Sequence, residues 1–296
     1  MEITYHIYDP SGNITALVGG DAFTPAERKT INDAIMAAHP EVEQVGFLAE
    51  GSPALTMAGG EFCGNATRSA VLAYLLELDG SASGGFRTGS SDVSMHIRTC
   101  GKDINGGVAD MPASAPCETE VWCRIPVAGY QICQLDEETI RVDLDGISFL
   151  IKEPPVLERL ESQFDADSRE AGLKAEAGRL LSESGIDNDA LGVIFKKVPG
   201  GEASGSTAGA GHVEIVPAIW VKAVDTMFLE NACGSGSIAA SLAEAFAGRP
   251  AREYTIMQPS GRPLIITHEK DNAGAVQAAH FRGPVRCDGV TYTLQL

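Results

Sequence analysis

The sequence predicts an α+β fold of two pseudo-symmetric lobes, each a mixed β-sheet wrapped around a central helix, with an active site in the cleft between the lobes. The chain has 296 residues, enough for two domains of ordinary size. A cysteine followed by a glycine opens an alanine-rich helical segment once in each half, at Cys63 and at Cys233. The predicted lobes are residues 1–120 with 280–296, which carry Cys63, and residues 121–279, which carry Cys233.

The first half predicts several short strands and two helices. Thr24 as N-cap and Pro25 at the first helical position predict a helix to about residue 39, with Ile31, Ile35 and Ala38 on its core face. A second helix follows Cys63, where apolar residues recur at three- and four-residue spacing. The predicted strands of this half are residues 2–8, 14–18, 44–50, 53–57, 86–88 and 93–98.

The second half repeats the pattern of a cysteine helix followed by two strands around a glycine-containing turn. Residues 153–185 are polar and helical in period, and a second alanine-rich helix follows Cys233. The loop Gly200–Gly211 is rich in Gly, Ala and Ser, which predicts a hairpin tip, with a lid over a site as the alternative. The predicted strands are residues 140–144, 147–152, 191–198, 212–216, 220–224, 254–257, 264–267, 276–281 and 290–294.

Charge and composition exclude several classes of function. The chain has 22 Lys and Arg against 40 Asp and Glu, a net charge of −18, which argues against nucleic acid and anionic membranes as partners. It has no apolar run of the roughly 18 residues that a membrane helix needs, and its first residues lack a signal-peptide pattern, so we expect a cytoplasmic protein. The seven cysteines lack the spacing of a zinc site. The sequence leaves open whether the chain forms a homodimer.

The two cysteine motifs favour proton transfer at a carbon atom. A thiol at a helix N-terminus is exposed to the positive end of the helix dipole, which favours thiolate. Two such thiols could take a proton from one face of an amino-acid α-carbon and return one to the other face. The N–H groups of Gly64 and Gly234, with the side chains of Asn65 and Ser235, could bind the negative charge that develops on the substrate carboxylate. This chemistry needs no cofactor and no metal, and the chain has no nucleotide-binding glycine motif.

The two cysteine motifs resemble those of the diaminopimelate epimerase family of cofactor-independent racemases. That family has Cys-Gly-Asn-Gly-x-Arg and Ala-Cys-Gly-[Ser/Thr]-Gly, which correspond to segments 63–68 and 232–236. Its Gly-Asn turn and its Gln-containing strand correspond to Gly12-Asn13 and to Gln44. The resemblance implies the diaminopimelate epimerase-like fold, catalysis by Cys63 and Cys233, and the substrate-binding residues Asn13, Gln44, Gly64, Asn65, Glu230, Gly234 and Ser235.

Two departures direct the substrate prediction away from diaminopimelate. The family's Glu-Arg-Gly before the second cysteine is replaced by Leu229-Glu230-Asn231, without an arginine, and the Asn at the start of its second lobe is missing. The motifs are more similar to the histidine racemases of opine-type metallophore synthesis, which implies histidine as substrate. Alternatives that remain open are a diaminopimelate epimerase, a related isomerase with a carboxylate base, and an amino-acid-binding protein without turnover.

Overall fold

A computed structural model describes residues 1–20, 22–80, 93–197, 210–222 and 226–296. The chain divides into two compact units, which are considered separately. Unit 1 comprises Met1–Ile125 with Arg282–Leu296, and unit 2 comprises Pro126–Phe281. Both contain helices and strands, so the fold class is mixed α+β, as the sequence predicts.

The helices and strands alternate irregularly along the chain. The first half of the chain forms β1 (Glu2–Pro10), β2 (Thr15–Gly19), α1 (Pro25–Ala38), β3 (Gln44–Leu48), β4 (Ala54–Met57), α2 (Gly64–Gly80), β5 (Val93–Thr99), β6 (Lys102–Val108), β7 (Cys117–Pro126), β8 (Gln131–Asp136) and β9 (Thr139–Leu144). The second half forms β10 (Ile147–Lys152), α3 (Pro155–Glu161), α4 (Arg169–Ser184), β11 (Ala190–Lys197), β12 (Ala210–Val221), β13 (Thr226–Leu229), α5 (Gly234–Phe246), β14 (Glu253–Met257), β15 (Pro263–Lys270), β16 (Val276–Cys287) and β17 (Tyr292–Gln295).

In unit 1, strand pairing places the start of the chain beside its end. Strand β1 pairs antiparallel with β2, with β17 and with the last residues of β16. Strand β2 then pairs in parallel with β3, where Thr15 lies opposite Gln44. Helix α2 contacts β1, β2, β3, β5 and β6, and its residues 64–75 are all buried. A helix that is buried on every side needs small and apolar residues around its whole circumference, which explains its alanine-rich composition.

In unit 2, helix α5 is the buried helix. It contacts β9, β10, β11, β12, β14 and β15. The pairing of β9 with β10 is antiparallel around the turn at Gly146, whose φ of 88° suits glycine. Helices α3 and α4 pack through Leu157, Leu173 and Leu181 on a further core cluster that includes Phe195 of β11.

Thr24 is the N-cap of α1 and Pro25 its first residue, as the sequence predicts, and the structure adds a bond from Glu27. Thr24 and Glu27 form a reciprocal capping box, in which each side chain accepts a hydrogen bond from the other residue's backbone N–H. Ile31 and Ile35 are fully buried, as predicted. The prediction that Ala38 faces the core is wrong, because the helix ends at this residue and leaves it exposed.

Several predicted elements differ from the structure or lie outside the described residues. The predicted strand at 86–88 and most of the loop 200–211 fall in the ranges 81–92 and 198–209, which are not described. The hairpin assigned to β5 is formed with β6, across a tight turn at Cys100 and Gly101, both with positive φ. The predicted strand 212–216 and the first residues of the predicted strand 220–224 belong to one strand, β12, which ends at Val221; residues 223–225 are not described. Strands β6, β7, β8 and β13 were not predicted, because their alternation is short or interrupted by glycine and charged residues.

Candidate active site

Cys63 immediately precedes helix α2 and satisfies its first backbone groups. Its Sγ accepts a hydrogen bond from the backbone N–H of Ala66 at 3.4 Å. Its carbonyl oxygen accepts from the N–H of Thr67 at 3.0 Å and from the Thr67 hydroxyl at 2.7 Å. The thiol therefore occupies the place of an N-cap side chain, where donors point towards it.

A network of side-chain amides connects Cys63 to the neighbouring strands. The Cys63 thiol donates to Oε1 of Gln44 at 3.0 Å. Nε2 of Gln44 donates to Oδ1 of Asn13 at 2.5 Å and to the Thr15 hydroxyl at 2.8 Å. Nδ2 of Asn65 donates to the same Asn13 oxygen at 3.3 Å. Unit 1 thus brings the predicted site residues Asn13, Gln44 and Asn65 together around Cys63.

Arg68 anchors this network from within helix α2. Its side chain is fully buried, and Nη2 donates to Oδ1 of Asn65 at 3.0 Å. Nη1 donates to the carbonyl oxygens of Gly283 at 2.7 Å and Pro284 at 3.4 Å. Burial lowers the pKa of Arg68 to about 10, and the nearby Cys123 and Cys63 thiols act against that shift. At neutral pH the guanidinium therefore remains charged, close to the Cys63 thiol.

Cys233 is the N-cap of α5 in unit 2, with the same hydrogen bonds. Its Sγ accepts from the N–H of Gly236 at 3.3 Å. Its carbonyl oxygen accepts from the N–H of Ser237 at 3.0 Å and from the Ser237 hydroxyl at 2.6 Å. The backbone φ of −128° and ψ of 110° are extended, as is typical of an N-cap. The two helices therefore begin alike, with Ser237 in the role of Thr67.

A buried glutamine fixes the backbone at Cys233. The Gln258 side-chain oxygen accepts from the N–H of Cys233 at 2.9 Å, and its Nε2 donates to the Ser237 hydroxyl at 3.0 Å and to the Ile256 carbonyl at 2.9 Å. The Ser235 hydroxyl lies 3.7 Å from the Cys233 sulfur. The side chain of Gln258 thus joins the strand β14 to the first turn of α5 and holds the thiol in place.

The electrostatics at Cys233 correct one expectation from the sequence. Burial, together with the charge of Glu230 and a hydrogen bond to its side chain, raises the pKa of the Cys233 thiol well above its usual range. The N–H of Gly236 and the hydroxyl of Ser235 act in the opposite direction. The donor at the helix start favours the Cys233 thiolate, as expected, but desolvation outweighs it, so the net shift of the pKa is upward.

The predicted site residues form two groups. Asn13, Gln44 and Asn65 share hydrogen bonds around Cys63, and Gly64 is the first residue of α2. In unit 2, Gly234 is the first residue of α5, and Glu230 and Ser235 both act on the Cys233 thiol. Their roles in substrate binding stay predictions.

Sequence reasoning missed the residues that position these groups. Thr15, Arg68 and Gln258 were not assigned to the site, although Arg68 belongs to the motif that follows Cys63. A hydroxyl four residues after each cysteine, at Thr67 and Ser237, is a signal that the sequence does contain. Spacing alone could not identify Thr15 and Gln258, because strand pairing and chain reversal bring them to the helix starts.

The described residues contain neither a cluster of metal ligands nor a membrane-spanning helix. No group of three or more His, Cys, Asp or Glu side chains in these ranges is arranged to hold a metal ion. Within the same ranges, no helix has the length and apolar character needed to cross a membrane.

Comparison with known families identifies the chain. A family model described as "Histidine racemase CntK N-terminal domain" matches residues 2–164, which is more than half of the 296-residue chain and includes Cys63 with its whole amide network. The chain belongs to the histidine racemase CntK family. It is accordingly an isomerase of the racemase and epimerase class. A search of curated proteins gave no match.

Solved structures of low sequence identity share the fold of this CntK-family chain. A hydroxyproline epimerase from Agrobacterium vitis, with bound trans-4-hydroxy-L-proline, is 11% identical, with a TM-score of 0.66 over 100% of this chain and 93% of the other. A probable proline racemase from Agrobacterium radiobacter K84 is 10% identical, with a TM-score of 0.62 over 99% and 92%. A PhzF-family phenazine biosynthesis protein from Bacillus anthracis is 11% identical, with a TM-score of 0.58 over 100% of both chains.

Proposed function

We propose that this chain is a cofactor-independent histidine racemase in which Cys63 and Cys233 form the acid/base pair that inverts the α-carbon. The observation that carries the proposal is the repeated geometry of the two thiols. Each thiol precedes a buried helix and accepts a hydrogen bond from the N–H three residues ahead, at 3.4 Å for Cys63 and 3.3 Å for Cys233. A racemase needs two similar groups that exchange roles in the reverse reaction, and the chain supplies two.

The proposed reaction is a proton transfer on each face of one carbon. A thiolate removes the α-proton, and its partner thiol donates a proton to the opposite face, so atoms and charge balance over the cycle. The intermediate carries negative charge on the carboxylate, which the backbone N–H groups of Gly64 and Gly234 at the starts of α2 and α5 can stabilise. This scheme adopts the diaminopimelate epimerase-like arrangement, in which the substrate lies in a cleft between two pseudo-symmetric lobes.

Histidine is the proposed substrate for two reasons. The family to which the chain belongs is described by that activity. In addition, Leu229-Glu230-Asn231 before Cys233 contains no arginine for a second substrate carboxylate, and a carboxylate without such a partner would be costly to desolvate. The neutral imidazole of histidine imposes a smaller desolvation cost.

The test is deuterium incorporation at the α-carbon, measured by mass spectrometry in heavy water, together with chiral analysis of the product. L-histidine, D-histidine and the diaminopimelate isomers are compared on one preparation. Cys63→Ser and Cys233→Ser replace each thiol with a far weaker acid of similar size, and the exposed Cys133→Ser is the matched control.

We expect racemisation of histidine by wild-type and Cys133→Ser protein, and a loss of at least about a thousandfold in each active-site variant, the scale of losing a positioned acid or base. Near-normal racemisation by either variant would refute the two-thiol mechanism. A diaminopimelate isomer preferred over histidine would refute the substrate, and binding without deuterium exchange would point to an amino-acid-binding protein.

A further inference from the structure

Gln44 faces the Cys63 thiol with its side-chain oxygen. The distance from Sγ to Oε1 is 3.0 Å, within hydrogen-bonding range for a thiol donor. An amide oxygen only accepts hydrogen bonds, so this contact stabilises the protonated thiol and opposes the thiolate. The orientation of the Gln44 amide therefore decides which protonation state of Cys63 the protein favours.

Two acceptors hold the Gln44 amide in this orientation. Nε2 donates to Oδ1 of Asn13 at 2.5 Å and to the hydroxyl of Thr15 at 2.8 Å. The fully buried Thr15 uses its own proton on the carbonyl oxygen of Asn13, at 3.0 Å, so its lone pairs are left for Gln44. Rotating the amide by half a turn would place an oxygen against both acceptors.

The ends of the network fix the orientation of the other amides. Nδ2 of Asn13 donates to the carboxylate of Glu43 at 2.5 Å, and a carboxylate can only accept. Oδ1 of Asn65 accepts from Arg68 at 3.0 Å, and a guanidinium can only donate. Asn65 must then turn its Nδ2 towards Asn13, and Asn13 must turn its oxygen towards Gln44.

We propose that Gln44 is a further catalytic residue, whose side-chain oxygen retains the proton on Cys63 in the free enzyme. Thr15, Asn13 and Asn65 are positioning residues that act through the Gln44 amide. This role rests on the proposed function, in which Cys63 is one of the two acid/base groups. It deepens that function by assigning the proton: Cys63 enters the cycle as the thiol that donates, and it becomes a base only when the Gln44 bond is lost or outweighed.

The charged groups that border the network act on the same thiol. The guanidinium of Arg68 favours a thiolate at Cys63, and Glu43, next to Gln44 and bonded to Asn13, disfavours it. Glu61, two residues before Cys63, has its own pKa raised by burial. These charges remain in place when the Gln44 amide is removed, and Oε1 is the only atom of that amide that bonds to the Cys63 thiol, so a Gln44 variant tests the amide without changing the charges around it.

The test measures how the alkylation rate of Cys63 by iodoacetamide depends on pH, resolved by peptide mass spectrometry. Gln44→Met removes the acceptor and retains the side-chain length. Thr15→Val removes the hydroxyl that orients Gln44 and keeps a β-branched residue in the strand, and Thr15→Ser is its matched control. The peptide that carries the exposed Cys133 is an internal control in the same digest of every variant.

We expect the alkylation midpoint of Cys63 to fall by about half a pH unit in Gln44→Met, or about threefold more thiolate below the midpoint. A smaller fall is expected in Thr15→Val and none in Thr15→Ser, with the alkylation midpoint of the exposed Cys133 unchanged. An unchanged or higher Cys63 midpoint in folded Gln44→Met would overturn the proposal. Because alkylation needs no turnover, it reports on Gln44 even if histidine proves not to be racemised, and a failure of either proposal can be recognised separately.

Discussion

Gly236 is the position where adding one methyl group should disturb the Cys233 thiol most directly. Gly236 lies in the first turn of α5, and its N–H donates to the Cys233 sulfur at 3.3 Å. A Cβ atom built at this position would lie 2.7 Å from Cδ1 of Ile194 and 3.0 Å from the Cys233 sulfur. Ile194 is fully buried, and protein interiors are close-packed, so moving its Cδ1 away requires neighbouring core atoms to shift as well.

The expected magnitude follows from two opposing effects. Alanine is preferred to glycine within a helix by roughly 0.5–1 kcal/mol. Non-bonded carbon atoms prefer separations of about 3.5–4.0 Å, so a contact of 2.7 Å is short by about 0.8 Å. Overpacking of this kind costs about 1–3 kcal/mol. We therefore expect Gly236→Ala to lower the free energy of unfolding by about 1 kcal/mol net, within a range of roughly 0–2.5 kcal/mol.

The matched control lies in the same unit. Gly178 is inside α4, and a Cβ atom there would meet nothing within 4 Å. Gly178→Ala should raise the free energy of unfolding by roughly 0.5–1 kcal/mol, because only the propensity term remains. Urea unfolding followed by circular dichroism measures the free energy of unfolding of both variants. Gly236→Ala should also reduce α-deuterium incorporation by about tenfold or more through displacement of the thiol. Equal stability gains in the two variants would refute the reasoning.

Two further predictions concern pH. Burial and Glu230 hold the pKa of the Cys233 thiol well above its usual range, so kcat/KM for racemisation should rise with pH above neutrality. Glu230→Gln should move this rise in kcat/KM to lower pH. A pH profile of kcat/KM that does not move would contradict this prediction. Burial lowers the pKa of His268 from 6.5 to about 4, so the folded protein binds fewer protons than the unfolded chain. The contribution of His268 to the free energy of unfolding is therefore complete above about pH 6.5 and is lost as the pH falls through about 4. Urea titrations at a series of pH values should show that the free energy of unfolding declines less steeply with falling pH in His268→Gln than in the wild type.

The sequence predicts local elements of this fold better than it predicts their pairing. The capping box at Thr24 and the turn at Gly146 follow from residues that are adjacent in the chain. The pairing of Val93–Thr99 with Lys102–Val108 could not be predicted, because the second strand contains two consecutive glycines and has little alternation. Close packing requires the glycine at Gly107, since a Cβ atom there would lie 2.2 Å from the carbonyl oxygen of Val93.

In the candidate site, too, the sequence predicts residues that are contiguous in the chain and misses those that tertiary structure brings together. Cys63 and Cys233 could be predicted because each motif is contiguous, with the thiol, the glycine and the helix in one segment. Thr15 comes to the Gln44 amide, and Gln258 to the backbone N–H of Cys233, through tertiary structure, so no spacing rule identifies them. The protonation of Cys233 could not be predicted either, because it depends on burial, and a helix N-terminus alone would give the opposite sign.

The two helix starts differ in how a glutamine is used, and this difference is relevant to mechanism. At Cys233 the glutamine accepts from the backbone N–H, so Gln258 fixes the position of the residue and leaves the sulfur to Glu230. At Cys63 the glutamine accepts from the sulfur itself, so Gln44 acts on the thiol proton that the proposed mechanism transfers. The Cys63 thiol therefore faces a neutral acceptor, the Gln44 amide oxygen, and the Cys233 thiol faces the Glu230 carboxylate, which can change its charge. Racemisation needs one thiolate and one thiol at a time, and two differently controlled thiols can satisfy that requirement without a cofactor.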